Sequence, residues 1–122
     1  EKIIQRNVNQ FGNHQFRFHY IDGDDLIKNI TQIKDTYDLI LIKDVIQHWP
    51  NDDIVRFLDE CKQINHNHLL ITNCKTTVSK DISYAGQWRP LCWTKPPLDK
   101  YDTSVLLNYN TKSVVKLLLD KP

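Results

Sequence analysis

The stretch from Tyr37 to Trp49, YDLILIKDVIQHW, constrains the fold of this chain more than any other. Asp38 to Ile42 is nearly continuous aliphatic, the mark of a strand buried on both faces, as in parallel sheets. The strand runs straight into Lys43 and Asp44, then a His-Trp pair at 48–49, then Asn51-Asp52-Asp53. Asn51 can cap a helix there, and two carboxylates in its first turn suit the helix dipole. Ile54, Leu58 and Cys61, with Phe57 and Ile64 beside them, form the buried stripe of that helix. His68-Leu-Leu-Ile-Thr72 reads as the next buried strand. Strand, helix and strand in this order predict a parallel pair joined by a right-handed crossover. Open α/β sheets hold their ligands beyond the carboxyl ends of such strands, where Asp44, His48 and Trp49 fall.

The flanking segments are shorter signals. Residues 1–10 read as the end of a helix, with Ile3, Ile4 and Val8 on one face. Phe11-Gly12-Asn13 should stop it, glycine accepting the left-handed conformation past a helix end. Phe16 to Ile21 is a short aromatic strand that ends in the turn Asp22-Gly23-Asp24-Asp25, and Leu26 to Ile33 a short helix. Cys74 to Asp102 shows no periodicity but holds three prolines, two tryptophans and one glycine. A stretch of that length is functional or disordered, and its tryptophans argue against disorder. Thr103–Asn108 and Ser113–Leu119 then read as an antiparallel hairpin around Asn110-Thr111-Lys112.

Composition excludes several function classes. The 122 residues suffice for one domain with a real core, at ordinary values of 40% hydrophobic and 25% charged. A net charge of +1 gives no electrostatic footprint for a polyanion. There is no apolar run of membrane-spanning length and no signal-peptide pattern. Three irregularly spaced cysteines, an odd count, point to a reducing, cytoplasmic setting rather than a disulfide framework. Cys61, Asn65, His66, His68 and Cys74 match no zinc spacing, so they read as packed or surface residues.

Several segments together resemble the second half of class I S-adenosylmethionine-dependent methyltransferases. YIDGDD (20–25) is similar to the acidic motif that holds the adenine, and YDLILIKDVIQHW (37–49) to the central-strand motif. NHLLITN (67–73) is similar to the strand after it. GQWRPLCWTKPPL (86–98) resembles a segment of a small-molecule or sugar-modifying subgroup. The fold implied is α/β: a partial Rossmann-like methyltransferase sheet with parallel core strands and a C-terminal antiparallel hairpin. Residues 1–122 would form a single, incomplete domain with 74–102 as substrate or lid loop. The family's glycine-rich first motif is absent, since Gly12, Gly23 and Gly86 lie far apart. That first βαβ unit takes roughly 30 or more residues. An upstream segment or a partner chain is therefore expected to complete the sheet and supply neighbours for the Phe16–Ile21 strand.

The resemblance implies an S-adenosylmethionine cofactor and site residues of three kinds. Asp22, Gly23 and Asp24 would meet the adenine, and Lys43 and Asp44 the rest of the cofactor. His48 would act as general base for an alcohol acceptor, because imidazole titrates near neutrality. Asp44 would orient it or hold the methionine end. Trp49, Trp88, Arg89, Trp93 and Lys95 would contact a small-molecule substrate, through ring stacking and a bidentate guanidinium clamp. Each has a plain structural alternative: Asp44 capping a turn, His48 packed beside Trp49, an ordinary Asp22-Gly23 turn, and Arg89 as a tie within a loop pinned by its tryptophans.

The leading function is methyl transfer to a small molecule, a sugar hydroxyl among the acceptors implied. The alternative is a non-catalytic, degenerate Rossmann-like module that assembles with a partner. Near-neutral charge and the lack of an Asn-Pro-Pro-Tyr-type motif weigh against a nucleic-acid substrate.

Overall fold

The computed structural model describes residues 2–13, 15–18, 29–30 and 35–119. The helix α1 spans Lys2–Phe11 and buries none of its side chains, leaving Ile3, Val8 and Phe11 largely in solvent. Gly12 follows it for a reason other than a left-handed turn. Its φ is not positive, and it continues the helical bonding with an N–H to Val8 O bond of 2.9 Å. A Cβ at this position would run into the Val8 carbonyl oxygen, so close approach of the backbone selects glycine.

Four strands form one mixed sheet in the order β1-β2-β4-β3: β1 Tyr37–Ile42, β2 His66–Cys74, β3 Asp102–Tyr109 and β4 Lys112–Leu118. The β1–β2 pair is parallel, in register from Tyr37↔His66 to Ile42↔Ile71. The strand β4 runs antiparallel to both β2 and β3, which brings the last strand between them. The architecture is thus α/β with one parallel pair and a terminal hairpin. Asn110, at φ 45, makes the hairpin turn with Thr111, a conformation asparagine tolerates. A register shift between Val105 and Leu107 marks a bulge in β3.

The helix α2, Asn51–Cys61, joins β1 to β2 and presents Ile54, Phe57, Leu58 and Cys61 to the sheet core. Those side chains meet Leu69 and Ile71 of β2, Val115 and Leu117 of β4, and Leu91 and Leu98 from the long connection. Burial pushes the Cys61 thiol up to about 12, so it behaves as a small apolar group.

Three further expectations are corrected. The strand β1 is not buried on both faces. Leu39 and Leu41 are 47% and 56% exposed, because α2 covers only the opposite face and no described element packs on theirs. Phe16 to Phe18 lie in no strand, and no described strand neighbours them; residues 19–21 lie outside the described residues. Asn51 does not cap α2 with its side chain: Pro50 is the N-cap, with φ −54 and ψ 155, and the orphan amide of Asn51 finds its acceptor elsewhere. The expected helix at 26–33 falls outside the described residues apart from Asn29 and Ile30, and Ile30 is buried. The 74–101 connection holds neither helix nor strand beyond Cys74, yet it buries Leu91, Cys92 and Leu98.

Candidate functional site

The carboxyl end of β1 leads into a constrained turn. Asp44 sits at φ 54, a region that side chains other than glycine seldom enter outside functional sites and turns. A single 3-10 turn, Ile46–His48, follows and buries Ile46 and Gln47. The Asp44 carboxylate is held from three sides. Lys43 Nζ donates to Oδ2 at 2.9 Å, Lys112 Nζ to Oδ1 at 2.8 Å, and Gln47 Nε2 to Oδ1 at 3.2 Å. The Lys112 hydrogen bond, followed by that of Lys43, holds the Asp44 carboxyl far below the usual carboxylate range. Each lysine is correspondingly raised, chiefly by its bond to Asp44. Lys112 comes from the start of β4 and also lies 3.7 Å from Cys74 Sγ. Asp44 therefore joins the end of β1 to the far hairpin.

His48 takes a different partner. Its Nδ1 lies 3.1 Å from the carbonyl oxygen of Gln87, so Gln87 rather than Asp44 orients the ring. The long connection is stitched to this turn at several points. Gly86 N–H donates to His48 O at 2.8 Å, and Arg89 N–H donates to Gln47 O at 3.3 Å. Gly86 is at φ 98, with nothing within 4 Å of a Cβ placed there, so backbone conformation and not space selects it. The two sequence motifs, IQHW at 46–49 and GQWR at 86–89, thus lie side by side.

Arg89 is only 3% exposed. Its Nη2 donates to Trp49 O at 3.0 Å and its Nη1 to Lys80 O at 2.7 Å, with Asp81 Oδ1 3.6 Å away. Burial lowers its pKa, partly offset by Asp81. These contacts make Arg89 a tie within the connection, with no face free for a bidentate clamp. Trp88, between two pinned neighbours, is instead 60% exposed. Trp49 packs edge-on against Phe57, ring centroids 5.1 Å apart, and Trp93 is half-buried against the core. Lys95 is exposed, and its backbone carbonyl closes turns to Leu98 and Asp99. The structure brings together Lys43, Asp44, His48, Trp49, Trp88 and Arg89 and sets Trp93 and Lys95 further along the connection. Asp22, Gly23 and Asp24 lie outside the described residues.

Four participants were not legible in the sequence. Lys112, 68 positions from Asp44, and Gln87, 39 from His48, act through contacts that local pattern does not encode. Asp81 Oδ1 accepts from the Asn51 amide at 2.9 Å and so caps α2 from the connection. Asn73, 1% exposed at the carboxyl end of β2, has neither amide atom paired. Among the described residues no group of three or more His, Cys, Asp or Glu side chains could hold a metal ion. None of their helices is long and apolar enough to cross a membrane. Compared with known proteins, the chain matches no family model, no curated protein and no solved structure.

Proposed function

We propose that these residues form the acceptor side of an S-adenosylmethionine-dependent methyltransferase acting on a small molecule. The observation that carries this reading is the meeting of His48 with the Gly86–Arg89 segment beyond the carboxyl end of β1. An imidazole of intermediate exposure, oriented by a backbone carbonyl and flanked by the exposed Trp88, is suited to deprotonate a bound hydroxyl. A parallel pair running into an antiparallel hairpin is also the sheet ending that the resemblance implies.

Bound S-adenosylmethionine would supply the electrophilic methyl group for an in-line displacement. Of the residues assigned to it, Asp44 stands at the carboxyl end of β1, but its two oxygens already hold Lys112 and Lys43, so an ammonium or sulfonium would bind there only by displacing one of these lysines. The protein's share of the chemistry would then be positional. His48 takes the acceptor proton, Trp88 offers an aromatic face to a substrate ring, and Arg89 keeps the connection closed on the turn. The glycine-rich element of the cofactor site would come from an upstream segment or a partner chain.

Calorimetric titration with S-adenosylhomocysteine tests the reading. Saturable binding that Asp44→Ala weakens at least several-fold supports it. No binding at millimolar ligand by a chain with a dispersed amide spectrum overturns it for these 122 residues. A second reading, an assembly module without catalysis, is favoured by one observation, the four leucines Leu39, Leu41, Leu107 and Leu118 left about half exposed on one face of the sheet.

A further inference from the structure

We propose that the backbone carbonyl of Gln87 fixes the proton of the neutral His48 ring on Nδ1. Nε2 is then the atom that accepts the substrate proton, and Gly86 and Arg89 are the positioning residues that hold the carbonyl there. The catalytic use of Nε2 rests on the methyltransferase reading; the tautomer and its cause do not.

A carbonyl oxygen can only accept, so at 3.1 Å from it Nδ1 must carry the hydrogen. In neutral imidazole one nitrogen is protonated and the other bears the lone pair, and the partner of the first decides which. No described residue bonds to Nε2, whereas free imidazole side chains in water favour the opposite tautomer. The arrangement therefore selects the less common form.

The carbonyl is not left to a mobile loop. Immediately before it, Gly86 N–H binds His48 O at 2.8 Å, which locks the same residue through its own backbone. Two positions after it, Arg89 N–H binds Gln47 O at 3.3 Å, and its guanidinium reaches Trp49 O at 3.0 Å. Gln47, His48 and Trp49 are thus each held by the segment that presents the Gln87 oxygen. Arg89 Nη1, bound to Lys80 O at 2.7 Å, fastens the segment in turn to the residues just before it. Removing the guanidinium would leave two carbonyls without their donor and free the segment to swing away.

In the transfer, an acceptor oxygen lone pair would form the new bond to the methyl carbon of the sulfonium donor as that carbon's bond to sulfur breaks. The pair of the broken bond stays on sulfur to leave a neutral thioether, while the O–H bond gives up its proton. The proton goes to Nε2, and the resulting imidazolium keeps Nδ1–H on the Gln87 carbonyl. Water then takes the Nε2 proton and restores the starting tautomer.

Long-range 1H–15N correlation of histidine-labelled protein, at a pH where the ring is neutral, reads the tautomer without cofactor or substrate. The expected spectrum of the native chain has a pyrrole-type Nδ1 and a pyridine-type Nε2 for His48. Arg89→Lys and Gly86→Ala should each lower the Nδ1–H to Nε2–H ratio about fivefold, the equivalent of one ordinary hydrogen bond. Gln87→Ala, which keeps the carbonyl, should leave the ratio unchanged. A native spectrum dominated by the Nε2–H form overturns the proposal, whatever the variants do. So does an unchanged ratio in either Arg89→Lys or Gly86→Ala with a native amide spectrum; should Arg89→Lys fail to fold, Gly86→Ala decides, its methyl meeting no atom within 4 Å while the φ of 98 strains the segment locally. Failure to bind S-adenosylhomocysteine with the Nδ1–H form intact would overturn only the methyltransferase reading.

Discussion

The two faces of the sheet differ sharply. On one, Leu69 pairs with Leu117 and Ile71 with Val115, and all four are essentially sealed beneath α2 and the long connection. On the other, Leu39, Leu41, Leu107 and Leu118 stand about half exposed, at 47–56%. The open face sets these leucines among His68, Lys116, Ser104 and Asp102, so apolar side chains stand on both faces and their presence alone does not distinguish the two. The cover does, and it is made of two unlike parts: a regular amphipathic helix and an irregular 74–101 segment pinned by side-chain-to-backbone bonds. The site lies where these two parts meet, since the Gly86–Arg89 segment closes over the turn that leads into α2. A rigid cover and a positioned imidazole are therefore products of the same contacts.

The largest effect should come from the covered face. Ile71 is fully buried between β1 and β4, and Ile71→Ala removes its packing while leaving a cavity. The expected loss is about 2–5 kcal/mol in urea unfolding. A loss well under 1 kcal/mol would mean that this face is loosely packed and the contrast with the open face is not real.

The next effect tests the irregular part of the cover. Asp81 accepts from the Asn51 amide at 2.9 Å and from the Ile82 amide at 2.8 Å, so it caps α2 and shapes its own turn. Asp81→Ala should cost about 1 kcal/mol, the usual value of a helix cap. It should also speed hydrogen exchange at the Asn51 amide and along residues 80–89. Exchange unchanged in those residues would show that the Gly86 and Arg89 bonds hold the connection without Asp81.

How much of this was readable from the sequence follows from the range of each interaction. The strands β1 and β2, the helix between them and the hairpin were legible because their signals are local: aliphatic runs, a 3.6-residue stripe and an Asn-Thr turn. The face that β1 buries was not legible. A run of apolar residues reads the same whether one side or both find a cover, and Leu39 and Leu41 found none among the described residues. The helix cap misled for a related reason. Asn51 has the right chemistry, but its own carbonyl and amide lie inside the first turn, and the capping oxygen came from Asp81. At the site, His48, Asp44 and Trp88 could be nominated because motifs name residue types. That Asp44 would bind Lys112 and His48 the Gln87 carbonyl depends on chain segments brought together only by folding. Arg89 shows the cost of reading chemistry without burial: a guanidinium suited to a clamp is enclosed by Trp49 and Lys80 carbonyls.

The smallest effect belongs to the open face and is the most telling about assembly. Leu41 is 56% exposed on β1, opposite Leu70 of β2. Leu41→Thr keeps a β-favouring side chain and removes apolar surface that the fold does not bury. In dilute solution its unfolding free energy should stay within about 0.5 kcal/mol of the parent. Contiguous exposed apolar patches on soluble domains commonly mark interaction sites. If the face mediates self-association, the parent should sediment as larger species at high concentration and Leu41→Thr should not. A destabilisation matching that of Ile71→Ala in dilute solution would break the comparison, since it would place Leu41 under a cover of its own. A variant neutral in both measurements would leave the two faces as different as they are drawn, with the leucines of the open side contributing neither to folding nor to self-association.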